Sequence, residues 1–63
     1  MKTKAYAAIR VTDEGQEYID ILTIHCLPDM VLERVQLADK TAPGWARENL
    51  FVRVIKINIE EIA

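Results

Sequence analysis

The adjacent pair His25-Cys26 is the only pair in this chain that suggests catalysis or metal binding. Thiol chemistry needs a thiolate with a proton acceptor within reach in space. Neighbours on an extended chain point to opposite faces, so the pair reads as a strand-end histidine beside a buried free cysteine. A metal would need three or four ligands, and these two residues are the only soft ones. Asp13, Glu14, Glu17 and Asp20 gather four carboxylates that suit a hard cation, but without the spacing of a calcium loop. They read as a solvated turn. Gly15 and Gly44 are the only glycines, so there is no glycine-rich phosphate loop. Neither cofactor, metal nor enzymatic activity is expected.

Two further groups concern binding. Thr41-Ala42-Pro43-Gly44-Trp45-Ala46-Arg47 carries the only tryptophan. Trp and Arg are enriched at the centres of interfaces, although a small core also has use for its one Trp as a cap. Lys4, Arg10, Arg47, Arg53 and Lys56, with Tyr6 and Tyr18, form a basic and aromatic set of the kind that stacks single-stranded nucleic acid on a sheet. The overall balance opposes it: eight basic against ten acidic residues give a net charge of -2.

These residues need elements to hold them. Thr3 to Thr12 alternates, with Ala5, Ala7, Ile9 and Val11 on one side and Lys4, Tyr6, Arg10 and Thr12 on the other, which predicts a half-buried strand. Asp13-Glu14-Gly15 predicts a three-residue hairpin loop, with Gly15 supplying the left-handed residue. Glu17 to Cys26 is then a second strand. That loop pairs Ile9 with Ile19 and Ala7 with Ile21, aliphatic against aliphatic. The other face would carry Tyr6 opposite Leu22 and Arg10 opposite Tyr18. Pro28-Asp29 opens a helix that ends near Lys40, before Pro43 and Gly44. A short helical turn around Trp45 precedes a third strand from Phe51. The order β-β-α-β predicts a two-layer α+β fold: a three-stranded antiparallel sheet, order 2-1-3, with one helix on one face. Ala5 and Ala7 are small enough to let that helix lie close.

Sixty-three residues make a single domain, 1–63, which buries only roughly 60% of its unfolded surface. One cysteine permits no internal disulfide, so oligomerisation and good packing are the expected supports. The third strand points the same way. Val52 and Val54 fall on even positions, whereas Ile55, Ile57 and Ile59 fall on odd ones. Either a bulge resets the phase, or both faces are apolar and something covers the second. A homodimer is expected, with an interface drawn from Tyr6, Tyr18, Leu22, Ile24, Val52, Val54 and Trp45. The function expected is a non-enzymatic protein–protein interaction module, with a small nucleic-acid-binding regulator as the alternative.

The opening KTKAYAAIRVTDEGQEYID and the stretch LADKTAPGWAREN resemble the short accessory proteins carried by enteric phages and prophages. The resemblance implies a bacterial cytoplasm and a host protein as partner. The residues agree on location. The longest uncharged stretch, Ile21 to Pro28, is too short to span a bilayer, and Arg10 interrupts the opening, so neither a membrane span nor a secretory signal is expected. A lone cysteine suits a reducing compartment.

Overall fold

Three antiparallel strands in the order β2-β1-β3, joined by a helical crossover, form the architecture that the alternation predicts. The computed structural model describes residues 2–60. In chain order the elements are β1 (Lys2–Thr12), β2 (Glu17–His25), α1 (Pro28–Thr41), α2 (Pro43–Glu48) and β3 (Asn49–Glu60). The result is a small α+β fold with one main helix and a short second one.

The first hairpin is set by its loop. Gly15 has φ +84° and donates its N–H to the Thr12 carbonyl at 2.9 Å. Only glycine takes that left-handed conformation without cost, so the three-residue loop fixes Ile9 opposite Ile19 and Arg10 opposite Tyr18. Beyond Asp20 the ladder departs from the expected one. The pairs Ala7–Ile21 and Tyr6–Leu22 do not form; Tyr6 stands opposite His25, so Ile21 to Ile24 all face Ala7. Side chains cause this wide bulge. The Thr23 hydroxyl accepts the Ala8 N–H at 2.9 Å and donates to the Asp20 carbonyl at 2.6 Å. The Leu22 N–H donates to the Asp20 carboxylate at 3.2 Å. Local bonds of this kind compete with a regular ladder and here replace it.

Pro28 stands at the start of α1 and Asp29 lies in its first turn, where a negative charge meets the positive helix end. Pro43, which lacks an N–H, stops α1 at Thr41 and serves as the first residue of α2. Val31 and Val35 are the buried residues of α1. They pack on Ala8, with Tyr6 and Val54 against the same cluster.

That packing corrects the face on which the helix was expected. Side chains alternate along a strand, so α1 covers the face of Tyr6, Ala8 and Arg10, not the face of Ala5, Ala7 and Ile9. Ala8 is the small residue on which α1 sits. The neighbouring Arg10 is buried on the same face because two aspartates neutralise it.

β3 does carry a bulge. Ile9 pairs with Arg53 and Arg10 with Phe51, so Val52 is the extra residue. It lies before the change of phase and does not reset it. Val54 opposite Ala8 points to the helix, whereas Ile55 opposite Ala7 and Ile57 opposite Ala5 point away. Both faces of β3 are therefore apolar.

Candidate functional site

The polar centre of the molecule lies under the helices. Arg10 is fully buried. Its Nε donates to Asp20 at 2.7 Å, and its Nη1 donates to Asp39 at 3.1 Å and to the Asn49 carbonyl at 2.9 Å. The guanidinium lies over the Trp45 ring, 4.6 Å from its centroid. Only Nη2 lacks a partner. Burial pulls the Arg10 pKa down, but the hydrogen bonds and charges of Asp20 and Asp39 more than offset this and raise it. Tyr18, opposite Arg10, donates its hydroxyl to the Asn49 side chain at 2.7 Å. Its phenol is raised by burial and by the charge of Asp20, against a lowering by Arg10. One cation held by two carboxylates has no charge left for an anion, so this network ties β1, β2, α1 and the start of β3 together. The cleft beside it, between Leu22, Thr23, Arg34, Ala38 and Trp45, holds about 240 Å³ and is smaller than the roughly 300 Å³ at which small-molecule sites begin.

The residues singled out from the sequence are dispersed. Tyr6 and Val54 are part of the helix-covered core, and Tyr18 faces the same side. Leu22 and Ile24 sit on the β2 bulge, with Leu22 79% exposed. Val52 is the bulge residue of β3, and Trp45 stacks on Arg10. The basic and aromatic set is divided too: Arg10 is internal, and Arg53 pairs with Glu17 at 2.9 Å across the face opposite the tyrosines. The four acidic residues separate likewise, with Glu17 on Arg53 and Asp20 on Arg10.

His25 and Cys26 do meet, contrary to the expectation from alternation. The strand ends at His25 and the chain turns, which brings Cys26 Sγ to 3.6 Å from Nδ1. Nδ1 already accepts the Leu27 N–H at 3.0 Å, so its lone pair serves the turn rather than the thiol. Cys26 is exposed, not buried.

A second apolar surface, which the sequence reading did not single out, lies on the other side of the sheet. Both helices lie on the Tyr6–Ala8–Arg10 side. The opposite face carries Ala5, Ala7, Ile9 and Val11 along its centre, with Ile55, Ile57 and Ile59 on the β3 side and Ile19 on the β2 side. Ala5, Ala7 and Ile9 are buried, whereas Ile19 and Ile59 are 43% and 46% exposed. The Arg53–Glu17 pair crosses β1 on this face and is its polar rim. The signal was in the sequence: Ala5, Ala7, Ile9, Val11, Ile55, Ile57 and Ile59 are all odd-numbered and all apolar.

The two edges of the sheet differ. On β2 the bulge breaks the ladder, and Arg34 Nη1 donates to the carbonyls of Ile24 at 2.9 Å and Leu22 at 3.5 Å. On β3, among the described residues, no strand pairs with the side away from β1. None of the described helices is long and apolar enough to cross a membrane. No protein-family model, curated protein or solved structure matches the chain.

Proposed function

We propose that this chain is a non-enzymatic protein–protein interaction module that works as a homodimer, with the uncovered aliphatic sheet face as its contact surface. The carrying observation is that face: a sheet needs cover on an apolar side, and both helices lie on the other. The total exposed area leaves room for a second copy. The chain exposes 4828 Å², about 700 Å² more than the roughly 4100 Å² of a compact monomer of 7.2 kDa. An ordinary protein–protein interface takes about 800 Å² from each partner. The rim supports a second copy as the cover. Arg53 and Glu17 give the patch one charge of each sign, so two copies meet about a two-fold axis without net repulsion. The resemblance to phage accessory proteins adds two further parts to the proposal, a cytoplasmic setting and a host protein as the target of the assembled module.

The test places a charge on the face and another on the opposite side of the molecule. Ile59→Asp and Ile55→Asp should lower the solution mass towards one chain, while Leu37→Asp, on exposed α1 surface, should leave it unchanged. Trp45 fluorescence reports whether each variant stays folded. A folded Ile59→Asp variant with the wild-type mass would remove the face from the contact.

A further inference from the structure

We infer that the free edge of β3 pairs antiparallel with β3 of another copy, about a two-fold axis at Asn58, and so joins two sheets into one of six strands. This rests on the self-association proposed above but uses a different surface, the edge rather than the face.

The difference between the two edges carries the inference. An unpaired strand edge offers a row of N–H and C=O groups to any other strand, and native proteins usually blunt it. β2 is blunted twice, by its four-residue bulge and by Arg34 on its carbonyls. β3 is regular from Arg53 to Glu60 along its pairing with β1, and its bulge at Val52 lies at the far end. β2 is closed along its second half, whereas β3, despite Lys56 and its bulge at Val52, keeps a regular stretch from Arg53 to Glu60 on which another strand can pair.

Charge selects the occupant and the register. With Asn58 on the axis, Asn58 faces its own copy, Ile57 faces Ile59, and Lys56 faces Glu60, the last two pairs occurring twice. Lys56, Asn58 and Glu60 are all exposed, so their side chains are free to pair. Opposite charges directly across two strands are stabilising. Within the described strand, shifting the axis to Ile57 sets Lys56 against Asn58, Ile55 against Ile59 and Val54 against Glu60, which loses both Lys56–Glu60 pairs. Lys56 deters a strand that brings no acid and accepts one that does, which favours self-pairing over indiscriminate aggregation. The paired isoleucines also continue the aliphatic face from one sheet into the next. Face packing and edge pairing are compatible, and together they would assemble four chains as two six-stranded sheets.

Cysteine cross-linking reads the register. Directly opposed residues of antiparallel strands have Cα atoms about 4.5–5.5 Å apart, within disulfide range, whereas diagonal neighbours lie at about 7–8 Å. In a Cys26→Ser background, Asn58→Cys should form a disulfide-linked dimer rapidly under mild oxidation at micromolar protein. Ile57→Cys, diagonal to its own copy, should cross-link at least tenfold more slowly, as should Leu37→Cys, the control for random collision. A protein that retains a multimeric mass but cross-links at neither strand position overturns the edge contact and leaves the face contact standing. Faster cross-linking at Ile57 than at Asn58 overturns the register and its ion pairs. A monomeric mass for the Cys26→Ser parent overturns both contacts together.

Discussion

Replacing Asp20 by asparagine should destabilise this protein out of proportion to the single atom exchanged. Asp20 uses both carboxylate oxygens: Oδ2 accepts Arg10 Nε at 2.7 Å, and Oδ1 accepts the Leu22 N–H at 3.2 Å. In Asp20→Asn the amide satisfies one of these donors and opposes the other, whichever way it is turned. It also removes one of the two charges that allow Arg10 to be fully buried. A hydrogen bond to a charged group contributes about 1.5–3 kcal/mol, and breaking a buried ion pair from one side costs about 3–5 kcal/mol. Asp39, at 3.1 Å and partly exposed, remains and limits the loss. The expected cost is therefore about 2–4 kcal/mol, against a total stability on the order of 3–9 kcal/mol for a chain of this length. Urea unfolding followed by Trp45 fluorescence is the assay, because the only tryptophan stacks on the perturbed guanidinium. Protein concentration must be equal in all samples, since the proposed self-association would add to apparent stability. The double variant Arg10→Met/Asp20→Leu should be more stable than Asp20→Asn, because it removes the buried charge with its partner. An Asp20→Asn midpoint equivalent to less than about 0.5 kcal/mol of change would refute the role given to the Arg10 network.

Three smaller perturbations follow from the same contacts. Thr23→Val keeps the shape but strips the acceptor from the Ala8 N–H and the donor from the Asp20 carbonyl, so urea unfolding should show a loss of about 1–3 kcal/mol. Gly15→Ala has open space around its added methyl but forces it to φ +84°, and should cost about 1–2 kcal/mol in the same assay. Tyr18 has a raised pKa, chiefly from burial, so the folded state holds its proton more tightly than the unfolded one. Its stabilisation is complete below about pH 10 and is lost as pH rises through the folded value; the stability difference between wild type and Tyr18→Phe should shrink over that range.

The hairpin and the sheet order were legible because they depend on local rules. Gly15 dictates the loop, the loop dictates the pairing of Ile9 with Ile19, and a helix between β2 and β3 dictates a crossover. The β2 bulge was not legible, because it depends on the Thr23 hydroxyl meeting Ala8 across the strands, a contact that no periodicity encodes. The helix-covered face was misjudged for a related reason. Alternation places Arg10 among outward residues, and only Asp20 and Asp39, ten and twenty-nine positions away, make its burial tolerable. Once Arg10 goes under α1, the odd-numbered aliphatic face must look outward. The phase change in β3 was a sound signal of two apolar faces, and the bulge at Val52 left it intact. Most of the residues chosen for the contact surface stand on the helix side or at the bulges, because the two faces had been exchanged.

The direct measurement is the solution mass of the wild-type protein by light scattering, over a concentration series from about one to several hundred micromolar. The expected mass is that of two or four 7.2 kDa protomers, falling towards one chain only at the dilute end. A folded monomer of 7.2 kDa at every concentration would contradict it, because Ile19 and Ile59 would then stay exposed and Ile55 and Ile57 half-exposed, with no second copy covering them.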